Sequence, residues 1–140
     1  MENTMIHAPE NLDLNVSNSE TFYCSLKGGS QKDKAVLYKA MANPEKRLAD
    51  FIGSTILAKD LYMEQVAMTN EETGEKVNTP RIVIIDKDGI SYQCVSFGVF
   101  NALKRVIAVF GEPTWKEPLP LTVKQTTKGQ KKMLTLDVNF

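Results

Sequence analysis

The order of the predicted elements after residue 54 limits the possible folds of this chain more than any other feature. Three extended segments come first, one amphipathic helix follows them, and two more extended segments complete the chain. The first segment, 55–69, is rich in apolar residues, contains no proline and is long enough for a bent strand. A polar turn at 70–75 separates it from the second segment.

The second and third segments form a predicted hairpin. The β-branched run 81–85 favours a buried strand, and Pro80 stands at its start, where a missing N–H costs least. The sequence 86–89 (Asp-Lys-Asp-Gly) is typical of a tight turn, and 90–95 supplies a strand whose side chains face alternately in and out. The two strands are therefore expected to be adjacent and antiparallel.

The helix is predicted over 97–110, where apolar side chains recur at spacings of three and four. Ser96 is placed to cap its first turn, and Gly111 is placed to end it. Phe97 and Phe100 are expected to fill the core of the fold, with base-stacking platforms as the alternative role.

Two segments with alternating apolar residues, 119–124 and 134–140, end the chain, and a Lys-rich hairpin at 126–131 joins them. Five strands with one helix between the third and the fourth are the layout of an OB-fold, a small barrel that often binds single-stranded nucleic acid. The predicted fold class is therefore mainly β, a five-stranded OB-fold barrel at 54–140 with an N-terminal extension.

The first fifty residues are expected to form an arm and an extension, not a second domain. Residues 1–20 are polar and acidic, so they predict a flexible arm. The part from 21 to 50 combines a strand-like segment with a short helical segment, 34–41, and is expected to pack onto the barrel. Residues 21–140 would then form a single domain. No segment is typical of a transmembrane helix or a signal peptide, so a cytoplasmic location is expected.

The charge of the chain is unevenly distributed. The sequence has 17 basic and 17 acidic side chains, but residues 1–20 contain four of the acidic ones and no Lys or Arg. The rest of the chain therefore carries 17 basic against 13 acidic side chains. Within 113–140, five lysines face two acidic residues, a local surplus that favours contact with phosphates.

Catalytic and metal sites are not indicated. His7 is the only histidine, and Cys24 and Cys94 are too far apart in sequence for a zinc or redox motif. Asp86 and Asp88 resemble the start of a calcium loop, but the later acidic ligands are missing, so a tight turn is the preferred interpretation. The sequence therefore predicts a protein that is not an enzyme and has no cofactor or metal.

Binding of a single strand requires aromatic rings for the bases and cations for the phosphates, on the face of the second and third strands and the adjoining loops. The candidate DNA-binding residues are Tyr62, Arg81, Lys87, Tyr92, Trp115, Lys124, Lys128, Lys131 and Lys132. The alternatives are that the tyrosines cover the core, that Trp115 caps the barrel, and that the lysines are only solvated.

The stretch from 79 to 140, with the hairpin 85–92, the helix and the closing strands 123–136, resembles phage-encoded single-stranded DNA-binding proteins. It is most similar to those of small tailed phages that replicate by protein priming. The resemblance implies an OB-like protein that coats single-stranded DNA with little sequence preference during replication or recombination. For a phage-encoded protein the expected location is the host cytoplasm, with replication or recombination proteins as further candidate partners and no membrane partner. The exposed edge of such a barrel and the extra N-terminal residues make a second copy of the chain another candidate partner.

Two features depart from proteins of this function. The chain ends in a predicted strand instead of an acidic tip, and the loop 70–79 is acidic, so binding is expected to rely on the other side of the barrel. The alternative hypothesis is a protein-interaction module, an accessory factor of a phage or mobile element that does not bind nucleic acid.

Overall fold

The computed structural model describes residues 20–27 and 29–140, without the side chains of residues 20–22 and 128. The flexible arm predicted for 1–20 lies outside the described residues, apart from the backbone of Glu20, which begins the first strand.

The described chain contains two α-helices, one 3₁₀ helix and seven strands. In chain order these are β1 (Glu20–Cys24), α1 (Gln31–Ala42), β2 (Lys46–Arg47), a 3₁₀ helix (Leu48–Phe51), β3 (Thr55–Thr69), β4 (Lys76–Asp86), β5 (Ser91–Val95), α2 (Phe97–Phe110), β6 (Leu119–Lys128) and β7 (Lys131–Val138). None of the helices in this part of the chain is both long and apolar enough to cross a membrane.

The predicted elements after residue 54 are confirmed in order and type. β4 and β5 pair antiparallel, and α2 has the predicted bounds, with the Ser96 side chain accepting a hydrogen bond from the N–H of Val99. β4 begins at Lys76, earlier than expected, because its first residues pair with the end of β3. The last hairpin is tighter than expected, since β6 and β7 pair as far as Lys128 and Lys131.

The mainly β class is confirmed, but the strand count differs from the predicted five. All seven strands belong to one curled sheet of order β2-β5-β4-β3-β6-β7, with β1 paired to β3. Two strands of the N-terminal extension have joined it: β1 runs antiparallel to β3, and β2 lies parallel to β5 at the sheet edge. No ladder between the described strands joins β5 to β7, so the sheet is a curled half-barrel, which is consistent with a β barrel but does not confirm the five-stranded OB-fold.

The open side of the half-barrel is occupied by the start of α2. The Ser96 hydroxyl donates to the carbonyl oxygen of Leu134 in β7 at 3.5 Å. A Cβ atom added to Gly98 would overlap that same oxygen, so this close approach requires glycine. The helix therefore lies against the β7 edge that a closed barrel would pair with β5.

The sheet is covered on both faces. The main core lies between α2 and the concave face, and includes Val99, Leu103 and Val106 of the helix. A second, smaller core lies beneath α1, where Ala40 packs with Tyr62 and residues of β4. The N-terminal extension thus covers the convex face of β3 and β4.

One core prediction is wrong. The side chain of Phe97 is 49% exposed, because the first residue of α2 lies away from the helix stripe that faces the sheet. Phe100, one turn later, packs partly against the main core, as predicted.

Candidate functional site

The two candidate tyrosines lie in the interior. Tyr62 is buried beneath α1, and its hydroxyl donates to Glu64 Oε1 at 2.9 Å. Tyr92 is 9% exposed; its hydroxyl donates to Asp86 Oδ2 at 3.0 Å, and its ring meets the edge of Phe51 with the centroids 5.1 Å apart. Neither ring stands out from the sheet, and both positions match the alternative that the tyrosines cover the core.

Trp115 is also buried, and its Nε1–H donates to the carbonyl oxygen of Gly111 at 2.9 Å. This position matches the alternative that the ring caps the bottom of the fold. The burial of all three candidate rings does not favour direct stacking on a base in this conformation, so their part in binding stays a prediction.

Arg81 is half-buried in a polar network under the end of α1. Its guanidinium donates to Glu64 Oε2 and Gln93 Oε1, each at 3.2 Å, and to the carbonyl oxygen of Ala40 at 3.4 Å. The carboxylate neutralises the Arg81 charge, and the bond to Ala40 ties α1 to the sheet. The face expected to bind nucleic acid is therefore covered by α1 at this point.

The remaining candidates are exposed lysines. Lys87 lies in the β4–β5 turn 3.3 Å from Asp88 Oδ1, and Lys124 lies 3.5 Å from Asp137 Oδ2. Exposed pairs of this kind contribute little to stability, so both ammonium groups can exchange partners at small cost. Lys131 and Lys132 are exposed at the start of β7, whereas the side chain of Lys128 lies outside the described residues.

The basic hairpin meets the start of α2. A Cβ atom at Gly98 would lie 3.6 Å from Met133 Cε, and Ser96 contacts Leu134. Phe97 lies between Ser96 and Gly98 in the chain, and its side chain is 49% exposed, so the helix start that packs against β7 carries an exposed ring.

Two further cations lie along α2. Lys104 and Arg105 are exposed, and Lys104 Nζ lies 5.4 Å from the centroid of the Phe100 ring. The helix sequence contains no acidic residue. The helix–hairpin surface, as it is called below, consists of Phe97, Lys104, Arg105, Lys131, Lys132 and Met133.

Sequence reasoning found two of these six residues and missed the others. Phe97 was assigned to the core because its spacing to Phe100 and Leu103 matches a helical stripe. One sequence signal could have distinguished Phe97 from the core residues of the helix. On a helical wheel, Phe97 lies away from the stripe formed by Val99, Leu103 and Val106, which is buried. Lys104 and Arg105 are identifiable in the sequence as solvent-facing positions, but only the structure shows that their helix begins next to the hairpin.

Burial shifts the pKa of two groups in the interior of the described chain. Burial raises the pKa of the Cys94 thiol to about 12, which keeps it protonated and a poor nucleophile near neutral pH. Burial and the hydrogen bond to Asp86 raise the pKa of Tyr92 to about 12. Within residues 20–27 and 29–140, no group of three or more His, Cys, Asp or Glu side chains is placed to hold a metal ion.

A curled sheet that presents cations and an exposed ring together is typical of a nucleic-acid-binding domain. The family model described as Phage Single-stranded DNA-binding protein, of the phi29 type, matches residues 16–139. The chain belongs to this family, which is that of the protein-primed phages, and the resemblance seen in the sequence is confirmed. Proteins of the family bind single-stranded DNA and are typically not enzymes. Comparisons with curated proteins and with solved structures gave no match.

Proposed function

We propose that the protein coats and protects single-stranded DNA with little sequence preference during phage DNA replication or recombination, through its helix–hairpin surface. The observation that carries the proposal is the exposed ring of Phe97 at the start of α2, a helix without acidic residues whose first turn packs on β7 at Met133 and Leu134, next to the basic hairpin. The host cytoplasm as location, and replication or recombination proteins as further partners, belong to the same proposal.

The chemistry of this surface suits an unpaired strand. Phe97 offers a face on which any base can stack, an interaction that contributes roughly 1–3 kcal/mol per base. Lys104, Arg105, Lys131 and Lys132 supply positive charge to neighbouring phosphates. Because a paired base is already stacked within its duplex, the ring contributes to the binding of single strands and not to that of duplex.

The other candidates divide into two groups. Lys124 and Lys128 lie on the same hairpin and extend the proposed phosphate contacts along β6. Tyr62, Tyr92, Trp115 and Arg81 are not part of the proposed surface, since burial or pairing holds them. Lys87, in the turn between β4 and β5, also lies outside it.

The test is fluorescence anisotropy of a labelled oligo-dT, with a duplex of equal length as competitor. Phe97→Ala is expected to weaken binding of the single strand roughly 5- to 150-fold, the equivalent of one lost stacking contact. Phe140→Ala is the matched control, because Phe140 is an exposed ring that packs on Phe110 at the opposite end of α2, with centroids 6.0 Å apart. Equal affinities of the two variants would overturn the proposed surface, and equal affinity for single strand and duplex would overturn the proposed function.

A further inference from the structure

β3 and β4 continue beyond the rest of the sheet as a two-stranded ribbon, residues 66–79. The described residues of β1 pair with β3 as far as Gln65, and β5 pairs with β4 as far as Arg81. β3 and β4 pair with each other as far as Thr69 and Lys76. Among the described strands, none other than β3 and β4 themselves pairs within the ribbon.

One face of the ribbon is apolar without contributing to a core. Met68 and Val77 are cross-strand partners, so their side chains share a face, and they are 48% and 43% exposed. An apolar cross-strand pair of this kind stabilises a hairpin, but its solvent-facing side remains available to a partner. Methionine adapts well to such contacts because its side chain is flexible and polarizable.

The tip of the ribbon is acidic. Glu71, Glu72 and Glu75 are exposed in and beside the turn, against the single basic residue Lys76. This negative charge repels phosphates, so the ribbon is not suited to contact the DNA strand. Its partner is expected to be basic and partly apolar.

The helix α1 has this character. The helix α1 runs antiparallel to β4, as two contacts show. Near its start, Val36 approaches the β4–β5 turn, where a Cβ atom added to Gly89 would lie 3.5 Å from Val36 Cγ2. Near its end, the carbonyl oxygen of Ala40 accepts a hydrogen bond from Arg81, close to the start of the ribbon. The first turn of α1 therefore lies at the end of the sheet away from the ribbon.

The outward side of α1 is basic and carries exposed apolar groups. Lys32 and Lys34 are exposed in its first turn against Asp33 alone, and Lys27 precedes it. Tyr38 is 68% exposed and Met41 is also exposed further along the helix. This surface lies on the convex face of the sheet, away from α2, so it remains accessible when DNA occupies the helix–hairpin surface.

We propose that the ribbon of one copy docks on α1 of the next copy, so that neighbouring molecules associate head-to-tail on single-stranded DNA. The inference rests on the proposed function. Complementary patches on two different elements of one molecule make a heterologous contact, which can continue from copy to copy along a strand and does not form a two-fold dimer. A ribbon buries little area, so the contact is weak between free molecules and becomes significant at the high effective concentration of neighbours on one strand.

The test compares a short oligo-dT that holds one copy with long poly-dT that holds many. The change Met68→Ser/Val77→Ser is expected to leave affinity for the short strand unchanged and to lower the cooperativity parameter on poly-dT about tenfold, or about 1.4 kcal/mol. Val109→Ser is the matched control, since Val109 is an exposed apolar residue outside the ribbon and α1. If the ribbon variant binds the short strand normally and keeps its cooperativity on poly-dT, the inference is overturned. If the unmodified protein does not bind the short strand at all, the proposed function is overturned instead.

A charge exchange tests the choice of α1 as the docking partner. Glu72→Lys and Lys34→Glu are each expected to lower cooperativity by repulsion, and the chain carrying both changes is expected to recover it, since a lysine then meets a glutamate at every contact. Failure of the double variant to recover would overturn the assignment of α1.

Discussion

Gly98→Ala is expected to destabilise the protein and to weaken DNA binding, although alanine normally favours a helix. Gly98 is the second residue of α2 and lies against β7. An added methyl group would overlap the carbonyl oxygen of Leu134 and contact its carbonyl carbon at 3.4 Å. Because these atoms belong to the backbone, no side-chain rotation can relieve the overlap, and the helix must move away from the strand.

Two effects of opposite sign decide the magnitude. Replacing glycine by alanine inside a helix gains at most about 1 kcal/mol, and less in the first turn. Forcing an extra methyl group into a packed contact costs about 1–3 kcal/mol, and a backbone overlap belongs at the upper end of that range. The variant is therefore expected to lose about 1–2 kcal/mol of unfolding free energy, which lowers the urea midpoint by roughly 0.5–1 M.

Urea unfolding followed by Trp115 fluorescence measures this change, and Gly29→Ala is the matched control. A Cβ atom at Gly29 would meet no other atom within 4 Å, so this variant is expected to be as stable as the unmodified protein or slightly more stable. The Gly98 variant should also bind oligo-dT more weakly, because the movement separates Phe97 from the basic hairpin. A Gly98→Ala protein with an unchanged or higher urea midpoint would refute the packing of α2 on β7 described above.

Three further outcomes follow from the interior of the protein. The pKa of Tyr92 is raised from 10.0 to about 12 in the folded chain, so its contribution to stability is complete below about pH 10 and is lost as the pH rises toward 12. Between pH 9 and 12, the urea midpoint should therefore fall less steeply for Tyr92→Phe than for the unmodified protein. Parallel curves for the two proteins would contradict this. Burial raises the pKa of the Cys94 thiol to about 12, so this thiol should react slowly in the native protein. In a Cys24→Ser variant, DTNB at pH 8 should label Cys94 only after urea unfolding. Prompt labelling of the native variant would be the contrary result. Arg81→Met leaves the buried Glu64 carboxylate without its cation and should lower the unfolding free energy, measured with urea, by roughly 3 kcal/mol. Adding Glu64→Gln should restore part of this stability. An Arg81→Met protein as stable as the unmodified one would show that the network is not structural.

Local sequence signals were sufficient where an element is determined by its own residues. The bounds of α2 follow from the Ser96 cap, the apolar spacing and Gly111, all of which are read within one stretch of chain. The β4–β5 hairpin follows equally from its β-branched run and the Asp-Gly turn, in which Asp86 accepts from the N–H of Asp88.

The covering of the convex face could not be predicted in this way. α1 was recognisable as a helix, but its position over Tyr62 and Val83 depends on contacts between residues more than twenty positions apart. The same separation hides the pairing of Arg81 with Ala40 and the entry of β1 and β2 into the sheet. Residues expected to contact DNA were therefore found beneath a helix, while Phe97, expected in the core, was found at the surface.

The most direct test of the central claim is the salt dependence of oligo-dT affinity for the unmodified protein and for Lys131→Ala/Lys132→Ala. Each lysine that neutralises a phosphate contributes about −0.7 to the slope of log affinity against log salt concentration. The double variant is therefore expected to bind more weakly at low salt, with a slope smaller in magnitude by about 1.4. Lys76→Ala, which removes an exposed lysine from the acidic ribbon, should keep the original slope. If the double variant retains both the slope and the affinity of the unmodified protein, the hairpin does not contact the strand and the proposed surface is wrong.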